Sequence, residues 1–133
     1  MSSVPGNLQY TDEHEWVLVE DEIATVGITD FAQNELGDIT FVELPEDDVD
    51  ITAGDEAATI ESVKAASPVY APVSGRIAEV NVDLEESPEN INQDPFGAGW
   101  IFRVEMSDAS ELEKLMDAEA YEAFLEKAEE ESD

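Results

Sequence analysis

A chain of 133 residues is long enough for one domain that buries roughly two-thirds of its unfolded surface, and the absence of cysteine excludes disulfides, thiolate metal sites and a cysteine nucleophile. Its 35 acidic and 5 basic residues leave a net charge of −30, which excludes nucleic acid and anionic membrane surfaces as direct partners, because both need lysine and arginine. The acidity runs along the whole length, with only Glu129 to Asp133 gathered as an acidic end, and such self-repulsion is tolerable where molar salt shortens screening to about 3 Å. The pattern reads as a halophile's surface, with docking to basic partners as the alternative. Met1 to Asn7 carry neither a basic start nor an apolar run, and no segment approaches about 18 apolar residues, so the chain reads as soluble and cytoplasmic.

Taken in chain order, Trp16-Val17-Leu18-Val19 and Ile23-Ala24-Thr25-Val26 are strand-like runs about the acidic turn Glu20-Asp21-Glu22, which predicts a hairpin. Thr29 is an N-cap for a two-turn helix with Asp30 in its first turn and Phe31, Ala32 and Leu36 on its apolar side, stopping at Gly37. Asp38 to Leu44 returns to strand and ends at Pro45, and the acidic loop Glu46 to Asp50 leads past Gly54 into the next strand. Thr59-Ile60 and Val69-Tyr70 read as the arms of a second hairpin, with Lys64 near its tip. Gly75 opens a strand through Val82, residues 83 to 99 read as loop, and Trp100 to Val104 form the last strand.

From Ser107 onward the period changes. Leu112, Leu115 and Met116, then Tyr121, Phe124, Leu125 and Ala128, recur at helical spacing, with Ser110 and Glu113 or Asp108 and Glu111 as a capping box. Gly37-Asp38-Ile39 with Val42 and Leu44 is echoed by Gly75-Arg76-Ile77 with Val80 and Val82, which suits two similar half-units with the lysine hairpin between them. The expected fold is mainly β, a sandwich with a short internal helix and C-terminal helices. One domain is expected over 1–133, with a β core over about 8–105 and a helical segment over about 108–130.

Lys64 is one of three lysines and stands outside the helical patterns, at the most exposed place a β-hairpin offers. Three chemistries use such a lysine. A Schiff base needs burial or nearby cations, whereas Glu61 lies three residues away in an anionic chain. A phosphate loop needs a glycine-rich run before a helix, which is absent. Covalent cofactor attachment needs only an accessible tip of fixed geometry. His14 is the sole histidine and has no partner four residues on, so no zinc motif exists; no metal site and no catalytic constellation is expected. Trp16, Trp100 and Phe102 read as core.

The run Glu61-Ser62-Val63-Lys64-Ala65, with Ser67, Tyr70, Pro72, Ser74-Gly75 and Glu79-Val80-Asn81, resembles the lipoylation segment of glycine cleavage system H proteins. Further matching segments follow in order: His14-Glu15-Trp16, Gly27-Ile28-Thr29-Asp30, Leu36-Gly37-Asp38, Val42-Glu43-Leu44-Pro45, Ile91-Asn92, Pro95-Phe96 and Gly99-Trp100. The resemblance implies a barrel-sandwich hybrid, the lipoyl/biotinyl type of β-sandwich, with lipoic acid amide-linked to Lys64. It implies a non-enzymatic carrier that takes a methylamine unit of glycine from P-protein (glycine decarboxylase) to T-protein (aminomethyltransferase) and passes electrons to L-protein (dihydrolipoamide dehydrogenase). A lipoate-attaching enzyme is a further partner, and a monomer is the expectation. By resemblance the His14-Glu15-Trp16 segment and the helix near Thr29 border a cleft for the arm. Glu15 and Phe31 are its candidate residues, Phe31 standing where some relatives have histidine. The rival readings are an H-like lipoyl donor to other complexes and an enzyme with Lys64 as a Schiff-base nucleophile.

Overall fold

The computed structural model describes residues 4–131, with side chains described as far as Lys127. The side chains of the expected acidic end at Glu129 to Asp133 and of Ala128, and the residues before Val4, lie outside that description. Among the described residues no helix is long and apolar enough to cross a membrane.

Among the described residues nine strands form two antiparallel sheets. They are β1 (Gln9–Tyr10), β2 (Glu15–Glu20), β3 (Ile23–Ile28), β4 (Ile39–Glu43), β5 (Asp50–Ile51), β6 (Glu56–Ser62), β7 (Ala66–Tyr70), β8 (Gly75–Val80) and β9 (Phe102–Met106). The larger sheet runs β1-β2-β3-β9-β8-β5 and the smaller β4-β6-β7. Alternation sets the core: Val17, Val26, Ile77 and Val104 from the larger sheet meet Val42, Ile60 and Val69 from the smaller, all fully buried. This is the expected barrel-sandwich hybrid. The echoed segments become β4 and β8, one in each sheet.

Both predicted hairpins form, β2 against β3 and β6 against β7. At the first, Gly27 lies opposite Trp16, and the indole lies across it; a Cβ there would come within 2.6 Å of the ring. Trp16 is buried, its Nε1–H donating to the Pro95 carbonyl at 2.9 Å. Helix α1 (Asp30–Leu36) begins at Thr29, whose hydroxyl accepts from the Ala32 N–H, and ends at Gly37 with φ 77°.

The structure departs from the sequence reading in several places, the strand from Gly75 ending at Val80 instead of Val82. The stretch 83 to 99 is not all loop: it contains the single-turn helices α2 (Asp83–Glu86) and α3 (Asn90–Gln93), too short to show a period. The last strand starts two residues later than expected, because the Trp100 and Ala98 carbonyls accept from Asn81 Nδ2 and Arg103 covers the Trp100 ring. Trp100 is accordingly half-buried, whereas Trp16 and Phe102 are core. The first C-terminal helix is a 3₁₀ helix, Ala109–Lys114, and the capping box does not form. Asp108 caps Ser110, while Glu111 reaches away to accept from the Ser74 N–H and hydroxyl at 2.6 and 2.8 Å. Met116 is not helical; it bridges to Tyr10. The second helix, α4 (Ala118–Glu131), packs Tyr121 and Leu125 into a separate cluster with Leu8, Tyr10 and Trp16. Tyr10 and Tyr121 stack at 4.5 Å.

Candidate functional site

The β6–β7 register, Glu61 opposite Ala66, leaves Val63, Lys64 and Ala65 to turn the chain. Ser62 organises that turn with its N–H and its hydroxyl. Its N–H donates to the Ala65 carbonyl at 2.8 Å, and its hydroxyl donates to the same oxygen at 3.2 Å while accepting from the N–H groups of Lys64 and Ala65 at 3.2 and 3.1 Å. The tip is also tied sideways: the Val63 N–H donates to the Asp38 carbonyl at 3.0 Å, just before β4. Glu61, Val63, Lys64 and Ala65 are exposed, Val63 at 66%.

Only its stem meets the body of the protein. A methyl group added at Gly37 would lie 3.5 Å from Lys64 Cε and 3.9 Å from Cδ, so the aliphatic stem runs over the one residue there without a side chain. Gly37 does two jobs. Its positive φ ends α1, and its backbone lies beneath the stem at contact distance.

Beyond Gly37 lies a cleft of about 200 Å³ between α1 and the hairpin, with Ile28, Phe31, Leu36, Ile60, Pro68 and Val69 as its apolar lining and Glu13 and Glu35 among its acidic residues. His14 forms part of its wall with φ 69°, its ring 4.7 Å from that of Phe31 and its Nδ1 2.8 Å from the Tyr121 hydroxyl. That hydroxyl also lies 2.8 Å from Thr29 Oγ1, so α4 fixes both the His14 ring and the N-cap of α1. Burial lowers the His14 pKa against the pull of Glu13, Asp12 and Glu35, and burial pushes Tyr121 up to about 12.

Phe31 thus faces the cleft, but Glu15 does not line it. Glu15 opens on a neighbouring groove of about 580 Å³ that shares Glu13 with the cleft and includes Tyr10, Tyr70, Lys114 and Met116. Its side chain is 2% exposed; one oxygen accepts from the Thr11 hydroxyl at 2.6 Å and the other from the Tyr70 N–H at 3.1 Å. Burial outweighs these bonds and raises its pKa to about 7. Sequence reading grouped Glu15 with Phe31 and missed Tyr121, whose helical spacing marked it as core without revealing where its hydroxyl would reach. It also treated Gly37 only as a helix stop.

The chain matches the family profile described as "Glycine cleavage H-protein" over residues 8–128. It is 55% identical over 121 residues to the glycine cleavage system H protein of Parvibaculum lavamentivorans, covering 91% of this chain and 97% of that one. It is 58% identical over 127 residues to the glycine cleavage system H protein of Escherichia coli, covering 95% and 98%. Among solved structures it is similar to the crystal structure of a glycine cleavage system H protein from Mycobacterium marinum, with TM-score 0.82 and 38% identity over 89% of this chain and 95% of that chain.

Proposed function

The chain belongs to the glycine cleavage H-protein family, the lipoyl carriers of the glycine cleavage system, and we propose that Lys64 is the residue of this chain that bears the lipoyl group. The observation that carries the proposal is the exposed lysine at the tip of the β6–β7 hairpin, its turn held by Ser62 and its stem lying over Gly37. The residues fit the group. Lys64 is exposed at the tip, which suits amide formation, and the apolar lining from Phe31, Leu36 and Val69 suits hydrocarbon. When bound, the dithiolane supplies the sulfur that takes up the methylamine unit and later yields two electrons.

This chain's own residues position and shelter. The hairpin presents the arm to P-protein, T-protein and L-protein in turn, and the tether raises its effective concentration at each. Phe31 and Leu36 give the cleft its apolar wall, and the acidic residues that line it are Glu13 and Glu35, whose carboxylates would attract an ammonium group. Glu61, Ser62, Val63 and Ala65 form the frame that a lipoate-attaching enzyme reads. The carrier, a single unit over 1–133 that acts as a cytoplasmic monomer, performs no chemistry of its own, and its acidic surface suits molar salt.

The test is glycine-dependent bicarbonate exchange with purified P-protein, run beside intact-mass measurement and peptide mapping. Lipoylation confined to Lys64 and loss of exchange in Lys64→Arg are expected. A lipoylated wild type that supports no exchange would leave the donor role to other complexes, and borohydride trapping of a carbonyl substrate on Lys64 would point to a Schiff-base enzyme.

A further inference from the structure

We propose that Asn92 is a positioning residue that holds the lysine hairpin in register with helix α1 and its cleft. The inference deepens the carrier assignment and rests on it for its functional consequence. Asn92, on the single-turn helix α3, is half-buried and spends every hydrogen-bonding atom of its amide on one bend of the chain. Its Oδ1 accepts from the Ile39 N–H at 2.9 Å, and its Nδ2 donates to the Gly37 carbonyl at 2.9 Å and to Gln33 Oε1 at 3.0 Å. The reverse orientation of the amide would set donor against donor at Ile39, so the assignment is determined by the partners.

Two of these partners, Gly37 and Ile39, bracket one residue. Between Gly37 and Ile39 lies Asp38, whose carbonyl accepts from the Val63 N–H, the sideways tie of the lysine turn. Asn92 therefore grips both sides of the anchor from which the tip hangs. Gln33, itself 8% exposed, sits in α1, its Nε2 donating to Asp30 Oδ1 at 2.8 Å. Through Gln33 the same amide is bonded to the helix that carries Phe31 and Leu36 into the cleft. One side chain thus links the wall of the cleft, the bend under the lysine stem and the tip. An arm anchored on a tip that drifts relative to α1 would enter the cleft less often, and an enzyme acting on that tip would have to order it first.

Asn92→Asp keeps the shape and the acceptor toward Ile39, but removes two donors and sets a carboxylate against two carbonyl oxygens. Amide hydrogen exchange reads the anchor directly. The Val63 N–H should exchange about tenfold faster in the variant, in line with the loss of one or two buried hydrogen bonds, while the Ile101 N–H, bonded to Val26 at 2.8 Å in the core, stays within about twofold. In acylation by a purified lipoate-attaching enzyme, KM for the carrier should rise about tenfold at unchanged kcat, the split expected when ordering is charged to binding. Asn92→Ala, which lacks the new carboxylate, should shift both readouts in the same direction. Val63 exchanging at the wild-type rate, or Val63 and Ile101 accelerating together, would overturn the proposal and leave Asn92 merely structural. A wild-type chain that the enzyme does not acylate would defeat the carrier assignment instead, and the exchange rates would still judge Asn92.

Discussion

Among the described residues Glu15 is the buried carboxylate whose ionisation the fold opposes strongly, and Glu15→Gln isolates its effect on stability. The folded-state pKa stands near 7 against 4.5 for the free side chain, because burial outweighs the hydrogen bonds from Thr11 and Tyr70. A raised value means that the stabilising contribution is fully present below 4.5 and is lost as the pH rises through 7. At about 1.4 kcal/mol per pKa unit the whole effect is about 3 kcal/mol, of which about 2.5 develops between pH 5 and pH 8.5. His14 runs the other way. Its lowered pKa makes stability present above 6.5 and lost as the pH falls below it. The other acidic groups also titrate, so the quantity to follow is the difference between variant and wild type in urea unfolding at constant molar salt. Glutamine keeps the shape and can offer its carbonyl oxygen to the Tyr70 N–H, and it does not titrate. The stability of Glu15→Gln relative to wild type should therefore climb by about 2.5 kcal/mol from pH 5 to pH 8.5. A difference that is flat across that interval would refute the burial argument, and one that falls would show that the carboxylate is stabilised by its two donors.

Two other perturbations test the frame and the surface. Gly27→Ala places a methyl group within 2.6 to 2.8 Å of the Trp16 indole, so it should cost about 1–3 kcal/mol in urea unfolding and shift tryptophan emission; wild-type stability would mean that the indole has another place to lie. Dialysis from molar salt into dilute buffer lengthens screening from about 3 Å to about 30 Å, and a chain of charge −30 should then lose its near-UV circular dichroism. An unchanged spectrum would sink the proposal of a salt-adapted surface.

The hairpins, the Thr29 cap and the Gly37 stop were legible because each is a local event. Alternation over β2 and β3, or a cap three residues from its donor, is written in a few neighbouring side chains. What could not be read depends on distant partners. Glu111 looked like a capping-box residue and instead binds Ser74, 37 positions away, because no local signal competes with a hydroxyl and an N–H presented by the opposite turn. The pairing of Gln9 and Tyr10 with Val17 and Trp16 is two residues long, below the length at which alternation shows. At the site, Phe31 fell where the helix period put it, whereas the separation of Glu15 from the cleft follows from Thr11 and Tyr70, one of them 55 residues away.

The same distinction bears on the proposal that Lys64, and not another lysine, carries the lipoyl group. The chain has three, and an ε-amine at Lys114 or Lys127 offers the same nucleophile as Lys64, so chemistry alone cannot select among them. What differs is the frame. Lys114 ends a 3₁₀ helix and Lys127 lies within α4, where the stem leaves a regular helical surface, while Lys64 sits in a turn whose backbone is fixed by Ser62 from within and by Asp38 from the side. Both restraints come from backbone or from a small hydroxyl, and neither adds bulk near Nζ. Gly37, whose φ of 77° favours glycine, brings the end of α1 into van der Waals range of the lysine stem. A long arm can swing freely only if its root does not. The fold spends its hydrogen bonds at the root and leaves the rest of the lysine to solvent.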